Sequence, residues 1–182
     1  MRSLEMRKKR RLRSVCAPHN RSAGTSIGLP RPTGCDLLVE PSLADTAAGT
    51  VVLATTRIGG AQTSPTETRI LVYRSLDGVE TFEDPIVAAD CFAINQQCDS
   101  PSVAATAGGA VLLAWSDWTI DQGLVTGVQA RVWRSDDDGV TLAEQATVPA
   151  TLAAVFGPRL AVSPDDGVHL AFTGAFAIGG TT

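Results

Sequence analysis

Lysine is nearly absent from this sequence, and both copies, Lys8 and Lys9, lie close to the amino terminus. Residues 32–182 contain six arginines, no lysine and eighteen acidic residues, which gives them a formal charge of −12. Phosphate binding needs a concentration of cations, so this body has no basic surface for nucleic acid. Because no run of about 18 apolar residues occurs, the sequence offers no transmembrane segment.

Residue patterns that mark several classes of enzyme and metal protein are also missing. None of the four cysteines forms a C-x-x-C pair, which argues against a zinc site or a thioredoxin motif. The two histidines and the only tyrosine, Tyr73, provide no catalytic pair, because His19 lies in a basic head and the other two lie within predicted strands. We therefore expect no metal ion, no cofactor and no catalytic residue.

The first 31 residues form a basic head with a formal charge of +8. Gly, Ser and Pro follow its Lys and Arg cluster, and no amphipathic period orders the charges. We therefore expect residues 1–35 to be a disordered tail, with polyanion binding or a localisation signal as the alternative. No apolar stretch of about 7–15 residues follows the basic cluster, so no secretory signal peptide is visible.

The most informative feature is an internal repeat of about sixty residues. Segments that share Pro-x-Leu/Val-Ala, a glycine-containing turn and an apolar run begin at Pro41, Pro101 and Pro158, at spacings of 60 and 57 residues. Their apolar runs VVLAT, AVLLAW and VHLAF are typical of buried strands. A third strand ends 34 residues after the first two prolines, at Ser75 and Ser135, and a weaker fourth strand follows. Four short antiparallel strands per repeat indicate a β-propeller blade.

The sequence therefore predicts an all-β fold, a partial β-propeller of about two and a half four-stranded antiparallel blades. Within the body, 36–182, we expect blades over about 41–100 and 101–157 and a truncated third blade over 158–182. A closed propeller needs at least about four blades. The chain is thus either part of a longer propeller or closes with other copies through open blade edges.

A turn motif follows the third strand of both complete repeats. It comprises Ser75, Asp77, Thr81 and Phe82 in the first copy and Ser135, Asp137, Gly139 and Thr141 in the second. A short Asp side chain can accept hydrogen bonds from turn N–H groups, and Gly permits a positive φ. These acids are therefore expected to stabilise the turn and not to bind a metal ion.

This motif resembles the Asp box, S-x-D-x-G-x-T-W, of the sialidase-like (BNR-repeat) β-propellers. The second copy departs from it at Leu142 in place of Trp; in the first copy Gly78 is displaced by one position and Val79 stands where Gly is expected. The resemblance covers about residues 41–182. It implies a propeller whose Asp boxes are structural, at the end away from any active site, in a protein that is secreted, periplasmic or at the cell surface.

The resemblance also implies what a sialidase requires: an arginine triad for the substrate carboxylate, an Asp acid/base, and a Tyr nucleophile with a Glu. Arg57 matches one arginine position, but no nucleophile pair is found. We therefore expect an extracellular glycan- or protein-binding scaffold without hydrolytic activity of its own. The alternatives are the amino-terminal part of an exo-sialidase or related glycoside hydrolase, and a structural repeat of a large surface protein.

A ligand site is expected on the connections at the end opposite the Asp boxes, since long loops on a rigid scaffold commonly carry sites. These connections are Arg57–Glu67, Ala88–Ser100, Ser116–Gly127 and roughly Thr151–Gly157. The side chains expected to bind there are Arg57, Asp90, Asp99, Asp117, Trp118 and Asp121. An indole beside acids and amides suits sugar recognition, and packing of Trp118 against a neighbouring blade is the alternative.

Two pairs of cysteines are disulfide candidates. Cys91 and Cys98 bracket a short polar segment and could close a small ring in an oxidising compartment. Cys16 and Cys35 form the other candidate pair, in or beside the basic head.

Overall fold

The structure is a computed structural model, and it describes residues 37–59, 67–91, 95–148 and 154–175. Every regular element in these ranges is a β-strand, so they contain no helix that could cross a membrane. The strands are β1 (Leu37–Asp45), β2 (Val51–Gly59), β3 (Glu67–Ser75), β4 (Ile86–Cys91), β5 (Gln96–Ala105), β6 (Val111–Asp121), β7 (Leu124–Ser135), β8 (Ala143–Val148), β9 (Ala154–Val162) and β10 (Val168–Ala175). The tail expected over residues 1–35 lies outside the described residues.

The strands pair as antiparallel meanders, which we call blade 1 (β1–β4), blade 2 (β5–β8) and blade 3 (β9–β10). The predicted all-β fold of four-stranded antiparallel blades is confirmed. Blades 1 and 2 begin at Leu37 and Gln96, a few residues before the prolines that mark the repeat. Strand pairing continues on the amino-terminal side of those prolines, because each lies within a β-bulge.

The bulge recurs in the first strand of all three blades, and the residue before the repeat proline has a positive φ each time. The φ angle is 55° at Glu40, 54° at Ser100 and 53° at Gly157. Only glycine adopts this conformation freely, so Glu40 and Ser100 carry local strain that surrounding contacts must offset. One such contact crosses from blade to blade: the Glu40 carboxylate accepts the Ser100 N–H at 2.7 Å.

Blades 1 and 2 pack face to face over an apolar core. Because side chains alternate along a strand, every second residue of the inner strands reaches this interface. The core side chains include Val52, Ala54, Ile70 and Val72 from blade 1 and Val103, Val111, Leu113 and Trp115 from blade 2. Burying one Val, Leu or Ile side chain contributes about 1.5–3 kcal/mol, so this interface is a major source of stability.

Serine hydroxyls set the register between neighbouring blades. The Ser42 Oγ of blade 1 accepts the Val103 N–H of blade 2 at 3.0 Å. The equivalent Ser102 Oγ of blade 2 accepts the Leu160 N–H of blade 3 at 2.9 Å. The same bond therefore repeats at both blade junctions, at the position directly after the repeat proline in blades 1 and 2.

The expectation of a long loop over Ser116–Gly127 is wrong. β6 and β7 pair, with one register shift between Thr119 and Ile120, as far as a two-residue turn formed by Gln122 and Gly123, whose φ angles are 49° and 81°. Two successive positive φ values give the tight hairpin turn that matches strand twist. Much of the expected loop Ala88–Ser100 is also strand, because β4 continues to Cys91 and β5 begins at Gln96.

The Asp boxes form the hairpins between the third and fourth strands of blades 1 and 2. In blade 2, the Asp137 carboxylate accepts the Ser135 hydroxyl at 2.6 Å, and it accepts the Thr141 N–H and hydroxyl at 2.8 and 2.7 Å. The Ser135 Oγ in turn accepts the Gly139 N–H at 2.8 Å. Blade 1 repeats the carboxylate bonds with Ser75, Asp77 and Thr81. Both carboxylates therefore act as acceptors within the turn.

Each Asp box contains two successive residues with a positive φ. These are Gly78 and Val79 in blade 1, at 70° and 72°, and Asp138 and Gly139 in blade 2, at 56° and 79°. In blade 1, the displaced glycine, Gly78, is thus the first of the two residues with a positive φ. The second is Val79, which is β-branched. A residue other than glycine pays roughly 1–2 kcal/mol for this left-handed conformation.

We predict that Val79→Gly raises the free energy of unfolding by about 1 kcal/mol. Glycine removes the energetic penalty of the left-handed conformation, but it also increases the conformational entropy of the unfolded chain, which offsets part of this stabilisation. Val79 is 38% exposed, so little packing is lost. The reciprocal change Gly139→Val should destabilise the fold, because a β-branched residue would have to adopt the φ of 79° at this position. Urea unfolding measures both, and a Val79→Gly protein less stable than the wild type would contradict the assignment.

The Asp boxes also predict a pH dependence. Hydrogen bonds from the Ser135 hydroxyl and from the N–H and hydroxyl of Thr141 lower the pKa of Asp137 from 3.8 to about 2. The ionised carboxylate therefore stabilises the fold fully above the ordinary pKa, and this contribution is lost as the pH falls towards 2. Asp137→Asn should be less stable than the wild type at pH 7, and the difference should shrink below about pH 4.

Urea unfolding at stepped pH measures this difference. Asp84→Asn, which removes an exposed carboxylate outside the hydrogen bonds of the box, is the matched control. An Asp137→Asn deficit that stays constant between neutral and strongly acidic pH would contradict the role of the carboxylate.

Candidate functional site

The side chains expected to bind a ligand do not gather at one site. Asp90 and Asp117 line a cleft between blades 1 and 2. Asp99 and Trp118 belong instead to the face of blade 2 that meets blade 3, where the Trp118 ring lies 5.3 Å from the Phe156 ring. Successive residues of a strand point to opposite faces, so Asp117 and Trp118 cannot contact the same ligand surface.

Arg57 and Asp121 belong to neither group. Arg57 lies in β2 opposite Arg69, and the two line a crevice of only about 10 Å³, which has room for one water molecule at most. Burial raises the pKa of the nearby Tyr73, an effect that the positive charge of Arg57 opposes. Asp121 is exposed beside the β6–β7 turn.

The cleft between blades 1 and 2, which we call the interblade cleft, has a volume of about 290 Å³. Small-molecule sites commonly measure about 300–1,000 Å³, so the cleft is at the lower end of that range. Its polar lining is Asp90, Gln96, Asp117, Arg131 and Glu144, and its aromatic lining is Trp115 and Trp133. Blade 1 contributes its outer strand β4, and most other lining residues come from one face of blade 2.

Two indoles line the cleft on the side of blade 2. The rings of Trp115 and Trp133 lie 5.4 Å apart at 66°, an edge-to-face arrangement that fixes both. Trp115 is only 3% exposed and belongs to the core between the blades. The buried Nε1–H of Trp133 finds no hydrogen-bond acceptor within the described part of the chain. An unpaired buried donor of this kind costs about 1–3 kcal/mol.

Arg131 organises the polar side of the cleft. Its Nε donates to Asp117 Oδ2 at 3.0 Å, and its Nη1 donates to Glu144 Oε1 at 2.9 Å. Thr147 joins the network, since its hydroxyl donates to Glu144 Oε1 at 2.8 Å and accepts from Arg131 Nη1 at 3.1 Å. The guanidinium is therefore held in place between two carboxylates.

A disulfide joins the two walls of the interblade cleft. It links Cys91 at the end of β4 with Cys98 in β5, whose Cα atoms are 5.8 Å apart. The Cys98 N–H donates to the Thr68 hydroxyl of β3 at 2.9 Å, so the bridge is also anchored to blade 1 by a hydrogen bond. Cys16 and Cys35, the other candidate pair, lie outside the described residues.

Asp99 forms a second cluster, on the opposite face of blade 2. Burial raises the pKa of this carboxyl, and the negative charge of Glu40 raises it further. Trp118, Ser100 and Ser116 lie close enough to the Asp99 carboxyl to oppose part of this rise. The Trp118 contact is a weak one, because its buried Nε1–H has no acceptor of good hydrogen-bond geometry among the described residues. Glu40 is occupied, because its Oε2 accepts both the Ser100 N–H and the Thr56 hydroxyl.

Most of the cleft was missed by reasoning from the sequence. Arg131 and Glu144 are not among the side chains expected from the sequence, and neither are the two indoles. A usable signal exists: W-x-D in β6 and R-x-W in β7 each place an indole and a charge on the same face of neighbouring strands. Among the described residues, no group of three or more His, Cys, Asp or Glu is arranged to hold a metal ion.

Solved structures with similar folds include two glycoside-degrading enzymes. A thermostable family-43 glycoside hydrolase matches with a TM-score of 0.53 and 11% sequence identity, over 75% of this chain and 48% of that one. An endo-arabinase from Bacteroides thetaiotaomicron VPI-5482 matches with a TM-score of 0.50 and 14% identity, over 74% of this chain and 50% of that one.

This chain therefore spans about half the length of both enzymes. No protein-family model matches the sequence, and no curated protein matches it either. At such low identity the likeness concerns the fold alone, and the described residues form part of a β-propeller.

Proposed function

We propose that this chain is a glycan-binding segment of a β-propeller, which holds its ligand in the interblade cleft and has no hydrolytic activity of its own. The observation that carries the proposal is the lining of the cleft, where two indoles lie beside a fixed Arg131, Asp117 and Glu144. Sugars present an apolar ring face and a rim of hydroxyl groups, and a ligand site of aromatic groups with a few oriented polar groups matches both.

The lining is also pre-organised. Arg131 is held by two carboxylates, Trp133 is held by Trp115, and the disulfide ties β4 to β5 across the cleft. Groups that are already fixed lose little conformational entropy when a ligand binds. The glycoside hydrolases of similar fold add indirect support for a glycan ligand.

The proposal also covers the location, family and partners of this protein. A disulfide is most stable in an oxidising compartment, which supports a secreted, periplasmic or cell-surface location. Membership of the sialidase-like family is supported by the two Asp boxes. A surface protein is the alternative partner. We also predict that copies of the chain can associate through the outer edge of β10, since no described strand pairs with that edge.

The proposal predicts that the full chain binds a subset of glycans on an array and that two mild changes weaken this binding. Gln96→Ala removes an exposed amide at the cleft, and Trp133→Phe keeps an aromatic ring but reduces the indole surface that lines the cleft. Losing one hydrogen bond, or part of one aromatic contact, of about 0.5–1.5 kcal/mol should lower the affinity roughly 2- to 10-fold in each variant. Isothermal titration calorimetry with the bound glycans measures the change.

Trp118→Phe is the matched comparison, because it makes the same chemical change on the opposite face of blade 2. Circular dichroism should show that all three variants remain folded. The proposal fails if no glycan binds, or if Trp118→Phe weakens binding while Gln96→Ala and Trp133→Phe leave it unchanged.

A second candidate function, glycoside hydrolysis, is favoured by the surroundings of Asp99. Glycosidases use two carboxyl groups whose environments separate their pKa values, one acting as an acid and the other remaining ionised. Asp99 has a raised pKa, and the neighbouring Glu40 carboxylate accepts hydrogen bonds from the Ser100 N–H and the Thr56 hydroxyl. Glu40 also has a left-handed backbone conformation, and such strain is concentrated at functional sites.

Hydrolysis of aryl glycosides separates the two functions. The primary proposal predicts no turnover by the wild-type chain above the rate in buffer. Turnover that falls by about 10²-fold or more in Asp99→Asn but not in Asp90→Asn would favour the second candidate. The comparison is matched because both variants replace an aspartate by its neutral isostere.

A further inference from the structure

The interblade cleft has an excess of negative charge. Arg131 is the only cation among the described residues that line it, against the carboxylates of Asp90, Asp117 and Glu144. Asp90 is compensated by Arg69, whose Nε lies 3.1 Å from Asp90 Oδ1. The remaining group of Arg131, Asp117 and Glu144 therefore has a net charge of −1.

Two of the three guanidinium nitrogens of Arg131 already bind protein groups in this arrangement. Its Nε bonds to Asp117, and its Nη1 bonds to both Glu144 and Thr147. Hydrogen bonding from Thr147 and then from Arg131 lowers the pKa of Glu144 and so favours its charged form. A bidentate arginine–carboxylate contact with a sugar acid would require breaking one of these bonds.

The wider charge of the chain acts in the same direction. Residues 32–182 have a formal charge of −12, and none of them is lysine. A carboxylated ligand is therefore repelled as it approaches, and it meets like charges at contact distance inside the cleft. Neutral hydroxyl groups, by contrast, can accept from Gln96 and donate to the carboxylates.

We infer that the interblade cleft selects glycans without carboxylate groups and excludes sialic and uronic acids. The inference rests on the proposed function, because it names the class of glycan that the same site accepts. It runs against the resemblance to sialidases, whose arginine triad binds a substrate carboxylate. Neutral sugars are the preferred ligands, and an amino sugar binds at least as tightly, because its ammonium group faces the carboxylates.

Matched pairs of glycans on one array test the selection. Each pair has the same skeleton with and without charge: methyl-esterified tetragalacturonate against tetragalacturonate, the methyl ester of 3′-sialyllactose against 3′-sialyllactose, and N-acetylated chitotetraose against its de-N-acetylated form. Among the pairs that bind, we expect the carboxylated member to bind about tenfold more weakly or worse, and the amino member to bind equally or better. Raising the salt concentration should narrow both differences.

Glu144→Gln supplies the test on the protein side. Removing this charge should reduce the discrimination against carboxylated glycans by about 3- to 10-fold. Asp84→Asn, which removes one exposed negative charge at the Asp-box end, should leave the discrimination unchanged and controls for net charge. Circular dichroism confirms that both variants are folded.

The outcomes separate the two claims. Equal or tighter binding of the carboxylated members overturns the inference and leaves glycan binding intact. Discrimination that is the same in Glu144→Gln and the wild type also overturns it, since the selection would then arise elsewhere. If no glycan of any charge binds, the proposed function itself fails and the inference fails with it.

Discussion

The stacking of one blade on the next is the interaction on which the rest of this structure depends. A single meander can bury a face only where another sheet covers it. Blades 1 and 2 cover each other in this way, and Val52, Ile70 and Leu113 are among the side chains that they bury. The junction also requires a fixed register, which the Ser42 and Ser102 hydroxyls provide by bonding to N–H groups of the following blade. The interblade cleft is the part of the same junction that apolar side chains leave unfilled.

Position relative to this junction decides what each acidic residue does. At the Asp-box end, the carboxylates of Asp77 and Asp137 accept hydrogen bonds from N–H and hydroxyl groups of the turn. Between the blades, Asp117 and Glu144 instead hold a guanidinium beside two indoles. The same type of side chain is thus a structural element at one end of the blade and part of a candidate binding surface on its face.

The fold could be predicted from the sequence because it rests on features that repeat. The spacing of Pro41 and Pro101, the apolar second strands and the two Asp boxes are each local patterns with a direct structural cause. The site could not be predicted in the same way, because it depends on which face of a strand a residue occupies and on pairing across strands. Alternation along each strand places Trp115 with Asp117 and Trp133 with Arg131, but only the β6–β7 register shows that these two pairs share one face of the blade.

A glycan that occupies the interblade cleft, and not the opposite face of blade 2, should affect the three indoles of this chain unequally. The three tryptophans give three indole N–H signals in a ¹H–¹⁵N correlation spectrum, one for each of Trp115, Trp118 and Trp133. Titration with a neutral oligosaccharide that binds the chain should shift the Trp133 signal most and that of its ring partner Trp115 as well, while the Trp118 signal stays in place. A shift of Trp118 alone, with the other two unchanged, would contradict the account.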